Sequence, residues 1–136
     1  MKISVGIPVV KSKFLREALE SWKNQTYRDF EAIIINDASK EECDAIVEPF
    51  LSDNRFHYIK RAHSSFPYFV RNWNECLKRA TGEWFVLASD DDVYEKTFLE
   101  KMGGGRRTRC RLDSLSHDTT SSRRDIGKSK CAFSGV

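Results

Sequence analysis

Three carboxylates in a row, Asp90-Asp91-Asp92, follow the apolar run Trp84-Phe85-Val86-Leu87-Ala88 with only Ser89 between. Held side by side they repel one another and raise each other's pKa unless something positive sits among them. A hard divalent cation, Mg²⁺ or Mn²⁺, is the fitting partner. It takes one or two protein carboxylates and fills its remaining positions with water and phosphate oxygens, so it carries a diphosphate well. A solvated loop, or a cap on the helix expected from about residue 96, is the competing role for a bare acidic triplet. The second candidate is Asn36-Asp37-Ala38-Ser39, at the end of another apolar run. An acid there can accept hydrogen bonds from a ribose or a nucleobase, or Asp37 or Ser39 can simply cap the helix that follows. Arg61 and Arg71 could meet phosphate, although a lone arginine is more often solvated. No GxGxxG and no GxxxxGK[ST] occurs, which removes support for a dinucleotide fingerprint or a P-loop. His57, His63 and His117 are scattered without a nucleophile context. Cys43, Cys76, Cys110 and Cys131 show no CxxC pairing and no metal-ligand spacing, so free thiols in a reducing compartment are expected.

The elements that must position these residues alternate between strand and helix patterns. Residues 3–10 read as a buried strand stopping around Pro8, which cannot donate to a ladder. A helix over 13–24, capped by Ser12, puts Phe14, Leu15, Ala18, Leu19 and Trp22 on one face. Residues 32–35 form a short β-branched run of the kind buried on both faces of a parallel sheet. A second helix is expected over 41–51, with Pro49 near its end, and a strand over 56–59. A third helix over 68–80 is closed by Gly82 as a left-handed cap. A strand over 84–88 and a short helix over 96–102 complete the pattern. This cadence predicts an α/β fold: a mostly parallel, Rossmann-like sheet flanked by helices, with right-handed crossovers. Function in such sheets gathers at the carboxyl ends of the strands, which directs attention to residues 8–12, 36–39, 61–65 and 89–92.

After Met102 the composition changes. Residues 103–136 hold 8 Lys/Arg against 3 Asp/Glu and 8 hydrophobic residues in 34, whereas residues 1–102 hold 15 Lys/Arg against 17 Asp/Glu and nearly all the aromatics. The chain therefore divides into a domain over 1–102 and an irregular, basic, Ser/Arg-rich tail over 103–136. Low hydrophobicity with positive charge is the signature of disorder. A nucleic-acid arm would interleave aromatics with its arginines, and this tail does not. The break falls abruptly inside a helical pattern, which favours out-of-frame or foreign coding. No apolar run approaches a bilayer-spanning length, and no secretion signal opens the chain.

Taken together, the segments resemble the family 2 glycosyltransferases, enzymes of the GT-A fold that use nucleotide-activated sugars. The resemblance covers residues 3–102 and rests on five pieces in order. These are Ser4-Val5-Gly6-Ile7-Pro8-Val9-Val10; the stretch from Ala18-Leu19-Glu20-Ser21-Trp22 through Asn24-Gln25-Thr26-Tyr27 to Phe30-Glu31; Ile33-Ile34-Ile35-Asn36-Asp37-Ala38-Ser39; Arg71-Asn72; and Ala80-Thr81-Gly82-Glu83-Trp84 followed by Ala88-Ser89-Asp90-Asp91-Asp92-Val93-Tyr94. It implies that the sheet is the N-terminal half of a GT-A fold. It also implies that Pro8 and Val9 line the nucleotide pocket with backbone and side chain, and that Asp37 contacts the base, usually uracil. Asp90 would lie near the ribose, Asp91 with Asp92 at the Mn²⁺ or Mg²⁺ ion, and Arg71 at phosphate or base. Many members carry aspartate where this chain has Ser89.

The implied reaction is metal-dependent, inverting transfer of a sugar from a nucleotide-diphospho-sugar donor, a UDP-sugar for preference, to the hydroxyl of a saccharide or lipid-linked acceptor. No nucleic-acid partner is implied. The implied setting is the cytoplasm, with peripheral association at the inner face of the membrane. The family's catalytic base lies beyond the acidic motif, where this chain has its tail, so the expectation is a truncated, inactive transferase with no base assigned. A non-catalytic remnant that still binds nucleotide sugar is the alternative. A sugar nucleotidyltransferase ranks lower, since Val9-Val10-Lys11-Ser12-Lys13 lacks the glycine-rich loop such enzymes need. A receiver domain ranks lower still, since the third strand ends in Ile59-Lys60-Arg61 rather than an aspartate.

Overall fold

A computed structural model describes residues 1–37, 42–61 and 68–104. Expectations for Ala38, Ser39, His63 and the tail from residue 105 onward fall outside the described residues. The elements are β1 (Ile3–Val9), α1 (Leu15–Lys23), β2 (Phe30–Asp37), α2 (Glu42–Val47), a 3₁₀ turn at Glu48–Phe50, β3 (Phe56–Arg61), α3 (Tyr68–Arg79), β4 (Trp84–Leu87) and α4 (Phe98–Gly104). The four strands form one parallel sheet in the order β3-β2-β1-β4.

That order explains the layering. The chain steps from β1 to β2 to β3 in one direction, then returns to lay β4 on the free side of β1. Right-handed crossovers make a reversal of direction change the face on which the helix lies. Two apolar clusters follow. Ile3, Val5, Ile7 and Val9 of β1 point with Ala32 and Ile34 towards Leu15, Leu19, Trp22, Val47 and Leu99. The alternate residues Ile33 and Ile35 meet Cys76 of α3 on the opposite face. β1 is buried along its whole length, as a central parallel strand covered on both faces must be. Gly6 is required there. A Cβ on it would stand 2.7 Å from the Cys76 Cβ and 2.6 Å from the Phe85 ring, so its absence lets α3 approach the sheet.

Several local expectations are corrected. β1 ends at Val9, one residue past Pro8, and Pro8 itself pairs with Ile35 inside the strand. The Gly6 carbonyl accepts from the Ala88 N–H at 2.8 Å, so Pro8, two residues on, turns its missing donor to the same side, past the last β4 residue, Leu87. Ser12 does not cap α1 with its side chain. Its hydroxyl donates to Glu42 (3.3 Å), and its carbonyl accepts from Leu15 N–H at the foot of the helix. Phe14 is not on the buried face: it is 46% exposed, with the Lys13 ammonium over its ring. Gly82 is not in the left-handed region. It is needed because a Cβ would lie 2.7 Å from the Ser4 nitrogen and 2.8 Å from the Lys2 oxygen, where the α3–β4 turn crosses β1. Pro49 divides the second helix into α2 and the 3₁₀ turn.

Candidate functional site

In an open parallel sheet the crevice for ligands lies outside the carboxyl ends of the strands where the order reverses. Here that point lies between β1 and β4. The last ladder contact there is Ala88 N–H to Gly6 carbonyl; beyond it the chain leaves the sheet, and Asp90 turns back. One carboxylate oxygen of Asp90 accepts from the backbone N–H groups of both Val10 and Lys11, each at 2.7 Å. These two amides lie past the end of β1 and have no strand to pair with, so an ionised carboxylate is their natural acceptor. Asp90 is consequently buried. The staple commits its Oδ2 to the β1–α1 loop.

Asp91 and Asp92 are exposed beside it. The Ser89 hydroxyl donates to Asp91 Oδ1, which holds that carboxylate over the end of β4. The Tyr94 phenol is pushed up by burial and next by the Asp92 charge, with Asp91 adding to this, while the Ser89 backbone N–H works the other way. Its ring packs, tilted, against Trp22 with centroids 4.3 Å apart, so the loop after the triplet is packed down on α1.

The other candidates take their places around this rim. Pro8 is buried, and Val9 is fully buried in the α1 face of the core, so Val9 can offer a ligand backbone but no side chain. Asp37 closes β2, in register with Arg61 of β3 and one residue beyond the Asn36–Val9 pair. The backbone of Asp37 and the Asp90 staple therefore flank the end of β1 on the same rim. Asn36 is occupied: its amide donates to the Tyr58 hydroxyl (2.6 Å), which donates to Asp44 (2.5 Å), and Lys60 pairs with the same carboxylate. Burial first, then Asp44, pushes the Tyr58 phenol up to about 12. Arg71 is exposed on α3, without an ion pair among the described residues, whereas Arg61 is committed to Glu75 at 3.6 Å. Cys76 is no nucleophile, since burial pushes its thiol to about 12.

Among the described residues no group of three or more His, Cys, Asp or Glu side chains is placed to cage a metal ion. Two open carboxylates on an exposed loop suit a hard cation that draws its remaining ligands from water and a diphosphate. Asp91 and Asp92 fit that description. Asp90 fits it less well, because one of its oxygens is taken.

Sequence reasoning passed over the residues that hold the loop. Gln25 is fully buried, and its amide reaches across to Glu95 and Leu99. A polar residue directly after an amphipathic helix, in the stretch 24–27, was the available signal. At the opposite rim, Glu31 is buried among Ser4, Thr81 and Lys2, at 2.5, 2.7 and 2.8 Å. Burial alone would raise its pKa, but these partners outweigh that and hold it at about 2. His57 is half exposed and lies 4.0 Å from the same carboxylate. This cluster joins β1, β2 and the α3–β4 turn at the amino end of the sheet, away from the candidate site.

The profile of glycosyl transferase family 2 matches residues 4–103. An uncharacterized glycosyltransferase of Rickettsia bellii is 31% identical over 100 residues, covering 73% of this chain and 14% of that protein. S. aureus TarS, solved in complex with UDP, superposes with a TM-score of 0.70 at 27% identity, over 76% of this chain and 31% of the other; its complex with UDP-GlcNAc gives 0.69. A mannosyltransferase from Pyrobaculum calidifontis, in complex with GDP-Man and Mn²⁺, shares the fold with a TM-score of 0.62 at 19% identity, over 69% of this chain and 29% of the other. The chain thus spans about a third or less of the length of these proteins.

Proposed function

This chain belongs to glycosyl transferase family 2, and from that premise we propose that residues 1–102 form the donor-binding part of a metal-dependent, inverting transferase that takes a nucleoside-diphosphate sugar, UDP-linked for preference. The observation that carries the reading is the Asp90 staple. It fixes the acidic triplet at the point where the strand order reverses and leaves Asp91 and Asp92 open beside it. Strands lie about 4.8 Å apart, so the rim from Asp37 on β2, across β1, to Asp90 after β4 spans roughly 10 Å. That is the scale of a nucleoside diphosphate.

In this reading Asp37 accepts from the base, and the backbone around Pro8 and Val9 forms the floor. The free oxygen of Asp90 meets the ribose, and Arg71 approaches phosphate or base. Asp91 and Asp92 are the carboxylates that would hold Mn²⁺ or Mg²⁺, with Ser89 orienting Asp91. Such a cation, when bound, offsets the charge that builds on the departing nucleoside diphosphate. The UDP and UDP-GlcNAc complexes of TarS support a uridine donor. The acceptor is a saccharide or lipid-linked hydroxyl, met on the cytoplasmic side at the inner face of the membrane; among the described residues no helix is long and apolar enough to cross one. The family resemblance puts the acceptor's base beyond the acidic motif, so donor binding is the part of the reaction assigned to residues 1–102.

The test is thermal denaturation of the 136-residue chain with UDP, CDP or GDP, each with and without Mn²⁺. The largest rise is expected for UDP with Mn²⁺, about 2.7 kcal/mol of stabilisation at a hundredfold excess over Kd. An equal rise for all three nucleotides contradicts the uridine preference, and no rise for any contradicts donor binding.

A further inference from the structure

The loop carrying the acidic triplet belongs to neither sheet nor helix. β4 ends at Leu87 and α4 begins at Phe98, so the ten residues between, past the Ala88 N–H bond to the Gly6 carbonyl, need anchors outside the ladder. They are held at two points. At the front, Asp90 grips the amides of Val10 and Lys11. At the back, Gln25 Nε2 donates to the Glu95 carbonyl (2.8 Å) and the Ser21 carbonyl (3.1 Å), and Gln25 Oε1 accepts from Leu99 N–H (3.0 Å). Thr26 reinforces the back. Its N–H donates to the Lys96 carbonyl (2.8 Å), and its hydroxyl reaches Lys96 and Glu100. Tyr94 is pressed between Trp22 and Phe98, with ring centroids at 4.3 and 5.0 Å.

Both anchors belong to one stretch of chain. Val10 and Lys11 lead into α1, and Trp22, Gln25 and Thr26 close it, so α1 acts as a strut between the two ends of the loop. Asp91 and Asp92 sit on the short span between the anchors, where the Ser89 hydroxyl donates to Asp91. Gln25 is 0% exposed and spends both donor hydrogens and its acceptor here. A buried amide satisfied on every side is costly to alter and fixes its surroundings in one arrangement.

We infer that Gln25 is a positioning residue: its side-chain amide orders the loop that carries Asp91 and Asp92, and so sets how well they hold a divalent cation with a nucleoside diphosphate. The link to cation binding rests on the donor-binding reading above; the ordering of the loop does not.

The experiment uses the full chain and three variants. Gln25→Met keeps the length of the side chain but removes the donors to the Ser21 and Glu95 carbonyls and the acceptor for Leu99 N–H, leaving the Glu95 carbonyl its bond from Phe98 N–H. Thr26→Val removes only the hydroxyl of the same clamp, and it stands in should Gln25→Met fail to fold. Ser4→Ala cuts hydrogen bonds at the opposite rim and controls for general loss of stability. The first readout is amide hydrogen exchange over residues 91–96, which reports local opening. The second is UDP affinity with and without Mn²⁺.

Gln25→Met is expected to speed exchange in the loop about tenfold or more, each tenfold corresponding to about 1.4 kcal/mol. It should lower the Mn²⁺-dependent gain in UDP affinity by a similar factor and leave affinity without Mn²⁺ within about twofold. Thr26→Val should move both in the same direction by about threefold, and Ser4→Ala should move neither. Unchanged loop exchange in a folded Gln25→Met overturns the inference, as does a retained Mn²⁺ gain in a chain that shows one. If the parent gains nothing from Mn²⁺, the proposed function fails, and loop exchange alone decides the role of Gln25.

Discussion

At the scale of single residues, the acidic triplet divides its labour. Asp90 is a structural staple with one oxygen to spare, whereas Asp91 and Asp92 are open. Ser89 contributes by donating to Asp91, so Ser89→Ala should lower Mn²⁺-dependent UDP affinity about threefold, the low end of what one hydrogen bond contributes net, with the melting temperature unchanged. Titrations of the two proteins check this. At the other rim Glu31 gives a pH prediction. Its folded pKa of about 2 lies below the ordinary 4.5, so the stability it contributes is complete above pH 4.5 and is lost as pH falls through about 2. Glu31→Gln should flatten that acid limb in a melting series. It should also cost about 3 kcal/mol at neutral pH, since it breaks a buried charge cluster.

At the scale of elements, the crossing of α3 over β1 depends on Gly6. Gly6→Ala would push a methyl against Cys76 and Phe85. It is expected to cost about 1–3 kcal/mol, the usual range for overpacking a closed core, as a lower denaturation midpoint by circular dichroism. The four strands and four helices of the described residues were legible in the sequence because apolar runs and helical periods fix where segments must bury. What was not legible were details set by contacts distant in the chain. Pro8 stays in its strand because β4 ends early. Phe14 points outward because α1 starts at Leu15. Gly82 answers to the backbone of β1 rather than to a helix cap. The acidic candidates were readable from their placement after apolar strands. The clamp by Gln25 was not, since nothing local ties residue 25 to residues 95 and 99.

At the scale of the whole molecule, the order β3-β2-β1-β4 makes the site. It brings residues distant in sequence to one rim, with β1 and its following loop as the common floor. It also leaves β4 as an edge among the described strands, only partly buried, while Val70 and Trp73 of α3 are 40% and 42% exposed. Open edges and apolar helix faces pair readily with other chains. Sedimentation velocity should therefore show association that grows with concentration; a species that stays monomeric into the hundred-micromolar range, about the level where weak contacts populate, would contradict that reading. The central claim is that the rim binds a nucleoside diphosphate through carboxylates at the end of β4. Calorimetric titration of UDP in the presence of Mn²⁺ into the parent chain and into Asp91→Ala tests it most directly. The expected result is measurable heat for the parent and at least about a tenfold weaker affinity for the variant, or 1.4 kcal/mol. Equal heats and equal affinities for the two proteins would contradict it.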